Sequence, residues 1–308
     1  MLDASIDQAL YIAMRLEQTC HQLAIFLEVV RRGSVTRAAE ALVLSQPSVS
    51  AQLKTLERSL GISLFTKVGR GIQLTEGGEI VADYARRIFG LAEELAATMA
   101  DLQGLATGRL IVGASTTAGE YLLPEALGRF KKLYPGIEIQ LQIANTRRVV
   151  ERILSVDLDL GFIGEDITDP RLVQLPYRDD ELVPVVAATH PLAGRRNPPP
   201  DEVVAQGLIV RESGSATRAT AARHLMVLGL APLIIMELGS NEAIKRAVAT
   251  GYGVAFLSRG SIEPECRAGL LAVVDCPALV SQRSFHIIYR RDKRLTRPEA
   301  AFLEFAQR

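Results

Sequence analysis

Short hydroxyl and amide side chains cluster at four places in this 308-residue chain: Ser115, Thr116 and Thr117; Asn145 and Thr146; Ser213, Gly214, Ser215, Thr217 and Arg218; and Ser240 with Asn241. Each cluster follows an apolar run and precedes a helical stretch, so each falls where a strand ends and a helix begins. Helix N-termini leave main-chain N–H groups free and carry partial positive charge, which suits an anion. Open α/β sheets take ligands at the carboxyl ends of their strands. Within RESGSATR at 211–218 a glycine allows close backbone approach, and the Arg218 guanidinium offers a forked grip on an oxyanion. Together these residues are the expected walls of a cleft for a small anion. Helix capping explains any one cluster taken singly, because Ser, Thr and Asn are favoured caps; the repetition is what raises the site reading.

Reaction chemistry leaves no comparable trace. The chain has no GxSxG, Walker or GxGxxG sequence, and its four histidines, His21, His190, His224 and His286, show no i, i+4 pairing and no neighbouring cysteine. Asp157, Asp159, Asp179 and Asp180 lie near expected strand or loop ends, where solvation and turn formation are the simpler roles. Cys20, Cys266 and Cys276 are sparse, odd in number and without CxxC spacing, so neither a disulfide framework nor a zinc site is expected. No catalytic residue, metal or cofactor is therefore expected, and the chain reads as a protein that is not an enzyme.

A second polar surface lies nearer the N-terminus. Leu23, Phe26, Leu27 and Val30 share a helix face that ends at Arg31, Arg32 and Gly33. Ser34 then caps a short helix with Val35, Ala38, Ala39 and Leu42 inward, the alanines implying a close helix crossing. After a turn at Val43 and Leu44, Ser45 caps a third helix expected from Gln46 to about Leu60, with Pro47 tolerated in its first turn. Its inward face is Val49, Leu53, Leu56 and Leu60; Ser45, Ser48, Gln52 and Thr55 point outward, with Lys54 nearby. Short hydroxyls and amides suit a helix lying against phosphates and base edges. The following LFTKVGRGIQLT reads as two short strands around Gly69, Arg70 and Gly71, with Lys67 and Arg70 at the tip of a DNA-contacting wing. From Leu23 to Thr75 there are seven basic residues against three acidic ones, a local excess that fits phosphate binding. The alternative, a helical module that only docks proteins, is disfavoured by the wing and the charge.

These surfaces need elements to carry them, and the composition, 48% hydrophobic and 23% charged, is that of globular protein with two or three cores. Thirty-five Lys and Arg balance thirty-five Asp and Glu, so any basic surface must be local. No uncharged apolar run approaches a membrane span, and MLDASIDQAL lacks the features of a signal peptide, so a cytoplasmic protein without a membrane partner is expected. Three zones follow: a helical unit over 1–75, a linker helix over 76–107, and an α/β unit over 108–308. In the linker Ile80, Tyr84, Ile88, Leu91, Leu95, Met99 and Leu102 form one apolar stripe, which suits pairing with a second long helix or packing on its own chain. Beyond it, apolar runs at 110–114, 137–143, 158–163, 182–188, 208–210, 233–238, 253–257 and 285–289 alternate with helical stretches, the pattern of an α/β fold with mostly parallel strands.

The stretch from Leu23 containing GSVTRAAEALVLSQPSVSAQLKTLERSLGISLFTKVGRGIQLTEGG resembles the DNA-binding domain of LysR-type transcriptional regulators, unbroken to Gly78. The order of zones fits that family over nearly all of 15–308. The resemblance implies an α/β protein with an N-terminal winged helix-turn-helix, a long linker helix and an effector domain like periplasmic solute-binding proteins. Its two subdomains would span about 109–183 plus 286–308, and about 184–285, with the inducer between them. It implies that Ser45, Gln46, Pro47, Ser48, Ser50 and Gln52 belong to the recognition helix, and that Ser34, Thr36, Lys67 and Arg70 contact the DNA backbone. STTAGEYLLP at 115–124 and RESGSATR further resemble the branch regulating sulfur assimilation and carbon fixation, implying a sulfur oxyanion or a phosphorylated metabolite as effector. Expected partners are promoter DNA with inverted half-sites and a second copy of the chain, as dimer or tetramer, with RNA polymerase a further candidate. Ala51 stands where many relatives carry a basic residue, which removes one DNA contact. About a dozen residues precede the usual start, making Met14 a candidate initiator beside Met1; otherwise residues 1–13 extend the first helix or dangle. An α/β enzyme fused to a DNA-tethering module is the alternative from another class, opposed by the missing catalytic motifs. A solute-binding protein is a poorer one, given the basic N-terminal unit and the missing signal peptide.

Overall fold

The computed structural model describes residues 19–68, 71–102 and 108–307; residues 1–13, Met14, Arg70 and the end of the expected linker lie outside them. The chain divides into two compact units, Met1–Glu94 and Leu95–Arg308. In the first, a helix over 19–32 (α1) is followed by α2 (Val35–Leu42) and α3 (Gln46–Leu60). Both caps form: the Ser34 hydroxyl accepts from the Arg37 N–H at 3.4 Å, and that of Ser45 from the Ser48 N–H at 3.2 Å. Val43 turns the chain in the left-handed region, with φ 56°, a costly place for a β-branched residue. Its N–H returns to the carbonyls of Ala39 and Glu40, closing the end of α2.

Phe26, Val29, Ala38, Ala39, Val49, Leu53 and Leu56 are buried together, the two alanines giving α2 its close approach. Leu60, expected inward, is 43% exposed because Gly61 ends the helix directly after it. Strands β1 (Phe65–Val68) and β2 (Gly71–Leu74) pair antiparallel, and Phe65, Ile72 and Leu74 hold this hairpin on the helical core. Gly78 lies in the first turn of α4 (Glu76–Leu102), where a Cβ would stand 2.1 Å from the Leu64 carbonyl oxygen. Nothing larger than glycine fits that junction. Along α4, Ile80, Tyr84, Ile88, Leu91, Leu95 and Met99 are exposed, whereas Ala82 and Ala85 are buried.

The second unit runs β3 (Gly108–Ser115), a π-helical turn at Ala118–Leu122, α5 (Leu123–Leu133), β4 (Ile137–Ala144), α6 (Thr146–Leu154), β5 (Leu160–Ile163) and β6 (Leu172–Ala187). It continues through α7 (Pro200–Val204), β7 (Leu208–Arg211), α8 (Ala216–Val227), β8 (Ile234–Leu238), α9 (Asn241–Ala249) and β9 (Ala255–Ser258). The last elements are α10 (Glu263–Arg267), β10 (Leu271–Val273), β11 (Ser281–Arg290) and α11 (Arg297–Ala306). β3 is parallel to β4 and β5, and β7 to β8. β6 and β11, however, run antiparallel to every strand they pair with, so the sheet is mixed rather than mostly parallel. The first part of β6, LVQLPYRDDE, carries a proline and three carboxylates and does not look like a strand. It becomes one because β11 pairs along it, with a register shift between Phe285 and His286 that accommodates Pro176.

These two long strands pass between two layered halves. In one, β4, β3 and β5 carry α5 and α11 on one face, around Leu110, Val112, Phe130, Phe162 and Phe302. The other face takes α6 through Val149 and Ile153. In the second half the end of β6 is flanked by β9 and β10. Main-chain bonds from Ile209 N–H to the Val254 carbonyl (2.8 Å) and from Val254 N–H to the Gly207 carbonyl (2.9 Å) join β7 and β8 to it. One apolar cluster there includes Leu225 of α8 and Phe256; another includes Ile244 of α9 and Leu257.

Candidate functional site

At the start of α3, Ser45, Gln46, Pro47 and Ser48 are exposed, as is Lys54 farther along; Ser50 is half-buried. Gln52 is half-buried, its Oε1 accepting from Gln22 Nε2 at 3.3 Å. The Thr55 hydroxyl donates to the Ala51 carbonyl at 3.0 Å and accepts from Arg58. Ser34 caps α2, while Thr36 and Lys67 are exposed. Arg31 and Arg32 both hydrogen-bond to Glu28, at 2.6 and 2.8 Å, and these bonds hold the Glu28 carboxyl at about 2. Two of the seven cations are thus already matched, and attraction for phosphates rests on the others. The face left open at the start of α3 is short, polar and uncharged, with Lys54 farther along it.

Within the second unit, Ser115, Thr116, Thr117, Asn145, Thr146, Ser215 and Thr217 converge on one polar pocket between the halves, together with Arg211 and Arg283. Arg211, 3% exposed, donates to Thr116 Oγ1 at 3.0 Å, to Asn241 Oδ1 at 2.7 Å and to the Glu212 carboxylate at 2.8 and 2.9 Å. Asn241, fully buried at the start of α9, donates in turn to Thr117 Oγ1 at 3.2 Å. Arg283 donates from Nε to Asp180 at 2.7 Å and from Nη1 to Thr217 Oγ1 at 3.0 Å. Burial pushes the Arg283 guanidinium below its ordinary value and the charge of Arg211 adds to this, while Asp180 opposes it.

Three polar atoms of this pocket, Ser115 Oγ, Thr146 Oγ1 and Arg283 Nη2, are buried without a hydrogen-bond partner. Buried polar atoms are nearly always paired, and each one left alone costs about 1–3 kcal/mol. The free space is ≈ 10 Å³, about what a single water occupies. The cleft is drawn shut by contacts between the halves. Arg147 donates from its N–H to the Gly214 carbonyl at 3.3 Å and from Nη2 to Ser213 Oγ at 2.9 Å, and Asn145 Nδ2 donates to the Ser213 carbonyl at 3.4 Å. Gly214, at φ +90°, is where the backbones approach: a Cβ there would meet that of Arg147 at 3.1 Å.

Residues 103–308 match the family described as LysR substrate binding domain, and residues 20–79 the family described as bacterial regulatory helix-turn-helix protein, lysR family. The chain belongs to the LysR family of transcriptional regulators. Among its relatives is the HTH-type transcriptional activator CmpR of Synechocystis, 38% identical over 287 residues that cover 93% of this chain and 94% of that protein. The RuBisCO operon transcriptional regulator of Allochromatium vinosum is 34% identical over 287 residues, covering 92% and 94%. These names match the carbon-fixation branch. A solved structure of the Synechocystis CcmR regulatory domain in complex with 2-PG is similar over 65% of this chain and 95% of that chain, at 32% identity and TM-score 0.61. This LysR-family chain is accordingly a DNA-binding transcriptional regulator with an effector-binding domain.

The geometry sorts the residues expected from the sequence to bind an effector into three groups. Ser115, Thr116, Thr117, Asn145, Thr146, Ser215 and Thr217 line the pocket, and Asn241 reaches its wall through Arg211 and Thr117. Ser213 and Gly214 instead bridge the two halves, and Ser240 caps α9 by accepting from the Ala243 N–H at 3.1 Å. Arg218 does not reach the pocket. From the first turn of α8 its guanidinium turns back to the Arg211 carbonyl at 3.0 Å and the Glu237 carboxylate at 2.6 Å, so it ties α8 to the β7–β8 pair. The two cations that do line the pocket, Arg211 and Arg283, were not singled out from the sequence. A signal for Arg283 existed: in β11 it alternates with Ser281, Phe285 and Ile287, all buried on one face.

Proposed function

We propose that this regulator reads inverted half-sites in promoter DNA through α3 and the wing, and changes its DNA geometry when a small oxyanion enters the cleft between its effector halves. The observation that carries the effector reading is the set of unpaired atoms, Ser115 Oγ, Thr146 Oγ1 and Arg283 Nη2, in one pocket with a second buried guanidinium. An oxyanion supplies several acceptors at once, whereas a neutral apolar molecule leaves these donors unpaired. A sulfur oxyanion or a phosphorylated metabolite has this chemistry, and the 2-PG bound by the CcmR domain supports the phosphorylated class. Because the pocket is nearly shut, entry exchanges the Thr116–Arg211 and Thr117–Asn241 bonds for bonds to the ligand. That exchange is the means by which binding would move one half against the other.

In this reading residues 1–75 bind DNA, 76–107 pair two chains and 108–308 sense the effector. The exposed stripe of α4 supports a homodimer, whose two-fold symmetry suits inverted half-sites, and in this reading two such dimers pair into a tetramer. The protein works in the cytoplasm, with RNA polymerase as a further partner. It turns over no substrate, a reading supported by the names of its relatives, which are transcriptional regulators; no helix among the described residues is long and apolar enough to cross a membrane. Calorimetric titration with sulfite, thiosulfate, a phosphate ester and an uncharged aromatic tests the site. An oxyanion should bind wild-type protein and bind at least tenfold more weakly to Thr116→Val. Binding of the aromatic alone would overturn the reading. For the linker, Leu91→Asp with Leu95→Asp should give monomers or aggregates by sedimentation; an unchanged oligomer would mean that the stripe packs on its own chain.

A further inference from the structure

The core of the first unit is apolar with one exception. Gln22 of α1 is 4% exposed and is the single buried polar side chain among the described residues of that unit. Its neighbours along the helix, Leu23, Ile25 and Phe26, all belong to the apolar cluster. Burying an amide is costly unless it is hydrogen-bonded. Gln22 meets that need on the recognition side of the unit, where its Nε2 donates to Oε1 of Gln52 on α3 at 3.3 Å.

Gln52 is half-buried and stands one turn beyond the exposed Ser48, on the same side of α3. With its carbonyl oxygen turned to Gln22, it offers only its NH2 group away from the core. A glutamine with both halves of its amide available reads adenine, accepting from N6 and donating to N7. One whose oxygen is turned inward can only donate, and guanine, through O6 and N7, is the base edge that takes two donated hydrogens. Adenine would set its N6 amino group against another donor. Gln46, exposed in the first turn of α3, is not held by a second amide in this way.

Resting on the reading of α3 as the helix that meets the base edges, we propose that Gln22 is a positioning residue for DNA recognition. It fixes the orientation of the Gln52 amide, so that Gln52 selects guanine over adenine at one base pair of each half-site. Gln22 itself, lying in the core, touches no DNA; it acts only through Gln52.

The test is selection by the full chain from a pool of random-sequence duplexes at fixed salt, followed by competition with single-base variants of the enriched duplex. Gln52→Ala, at a half-buried position, locates the base pair in question as the one whose preference it flattens. Wild-type protein should prefer guanine over adenine there by about tenfold. Gln22→Met keeps the length of the side chain, suits an apolar core and removes the donor, so the Gln52 amide is free to turn. The guanine preference should then fall to within about twofold or pass to adenine, while the preference that Gln46→Ala flattens stays as it was. Gln22→Glu keeps the shape with a carboxylate that accepts and does not donate; it should draw Gln52 Nε2 inward and pass the preference to adenine. A change of packing alone would weaken binding to all sequences alike and move neither preference. Adenine preferred by wild-type protein at that base pair, a guanine preference that survives either Gln22 variant, or a Gln52→Ala variant that flattens no position would overturn the proposal and leave the reading of α3 standing on Gln46. If wild-type protein enriched no sequence, the reading of α3 itself would fall, and this proposal with it.

Discussion

On α3 the hydroxyl and amide side chains of Gln46 and Ser48 stand in water, whereas in the effector cleft the same residue types are buried and bonded mostly to one another. The difference concerns what each surface costs before its ligand arrives. An exposed polar face stays hydrated until DNA meets it, so its residues can be changed with little effect on folding. The cleft has already desolvated two guanidinium groups and a set of hydroxyls, three of its polar atoms remaining unpaired. Stability and ligand affinity are therefore coupled in the cleft and separate on α3.

The strongest way to break this contrast is Arg283→Met. It leaves Asp180 buried without its cation, and a urea titration should show a loss of about 3–5 kcal/mol. A loss below about 1 kcal/mol would mean that the cleft is hydrated like a surface. Next come two substitutions expected to cost about 1–3 kcal/mol each, in different assays. Thr116→Val should weaken oxyanion binding by that amount and leave effector-free DNA affinity unchanged. Gln46→Ala should lower discrimination between operator and mismatched DNA by that amount and leave oxyanion affinity unchanged. A crossed effect in either variant would sink the separation. Lys67→Ala should weaken binding to all sequences alike and reduce the slope of log affinity against log salt by about 1.

Smaller effects sharpen the assignment. Arg218→Ala removes a partly exposed ion pair with Glu237, worth about 0–1 kcal/mol in stability, and should leave oxyanion affinity as it was. Glu28 titrates at about 2, below its ordinary 4.5, so its contribution is fully present above pH 4.5 and is lost as pH falls toward 2. Glu28→Gln should remove that part of the acid sensitivity in thermal melts at pH 5 and pH 3.

Much of this was legible wherever a cap met a helical period. Ser45, Asn145 and Ser240 mark the starts of α3, α6 and α9 because their side chains accept the orphan N–H groups there. The first part of β6 was not legible, since Pro176 and the run Asp179, Asp180, Glu181 have no strand character until β11 pairs with them. Clustered hydroxyls pointed to the cleft, but a cap and a ligand-facing hydroxyl look alike in one dimension. Arg218 attracted attention as the last residue of RESGSATR, while Arg211, the first residue of that stretch, and Arg283, two residues before the expected strand at 285–289, were not singled out. Which arginine enters the cleft depends on the face to which each element turns it, and that is settled by packing.

The most direct test is a footprint of the full chain on its operator DNA, with and without sulfite, thiosulfate and a phosphate ester. One of these oxyanions should alter the protected or hypersensitive positions on wild-type protein, and Thr116→Val should move that change to about tenfold higher oxyanion concentration or beyond while retaining the effector-free footprint. A footprint that responds only to an uncharged aromatic, or an oxyanion response that survives Thr116→Val unchanged, would contradict the assignment of the cleft.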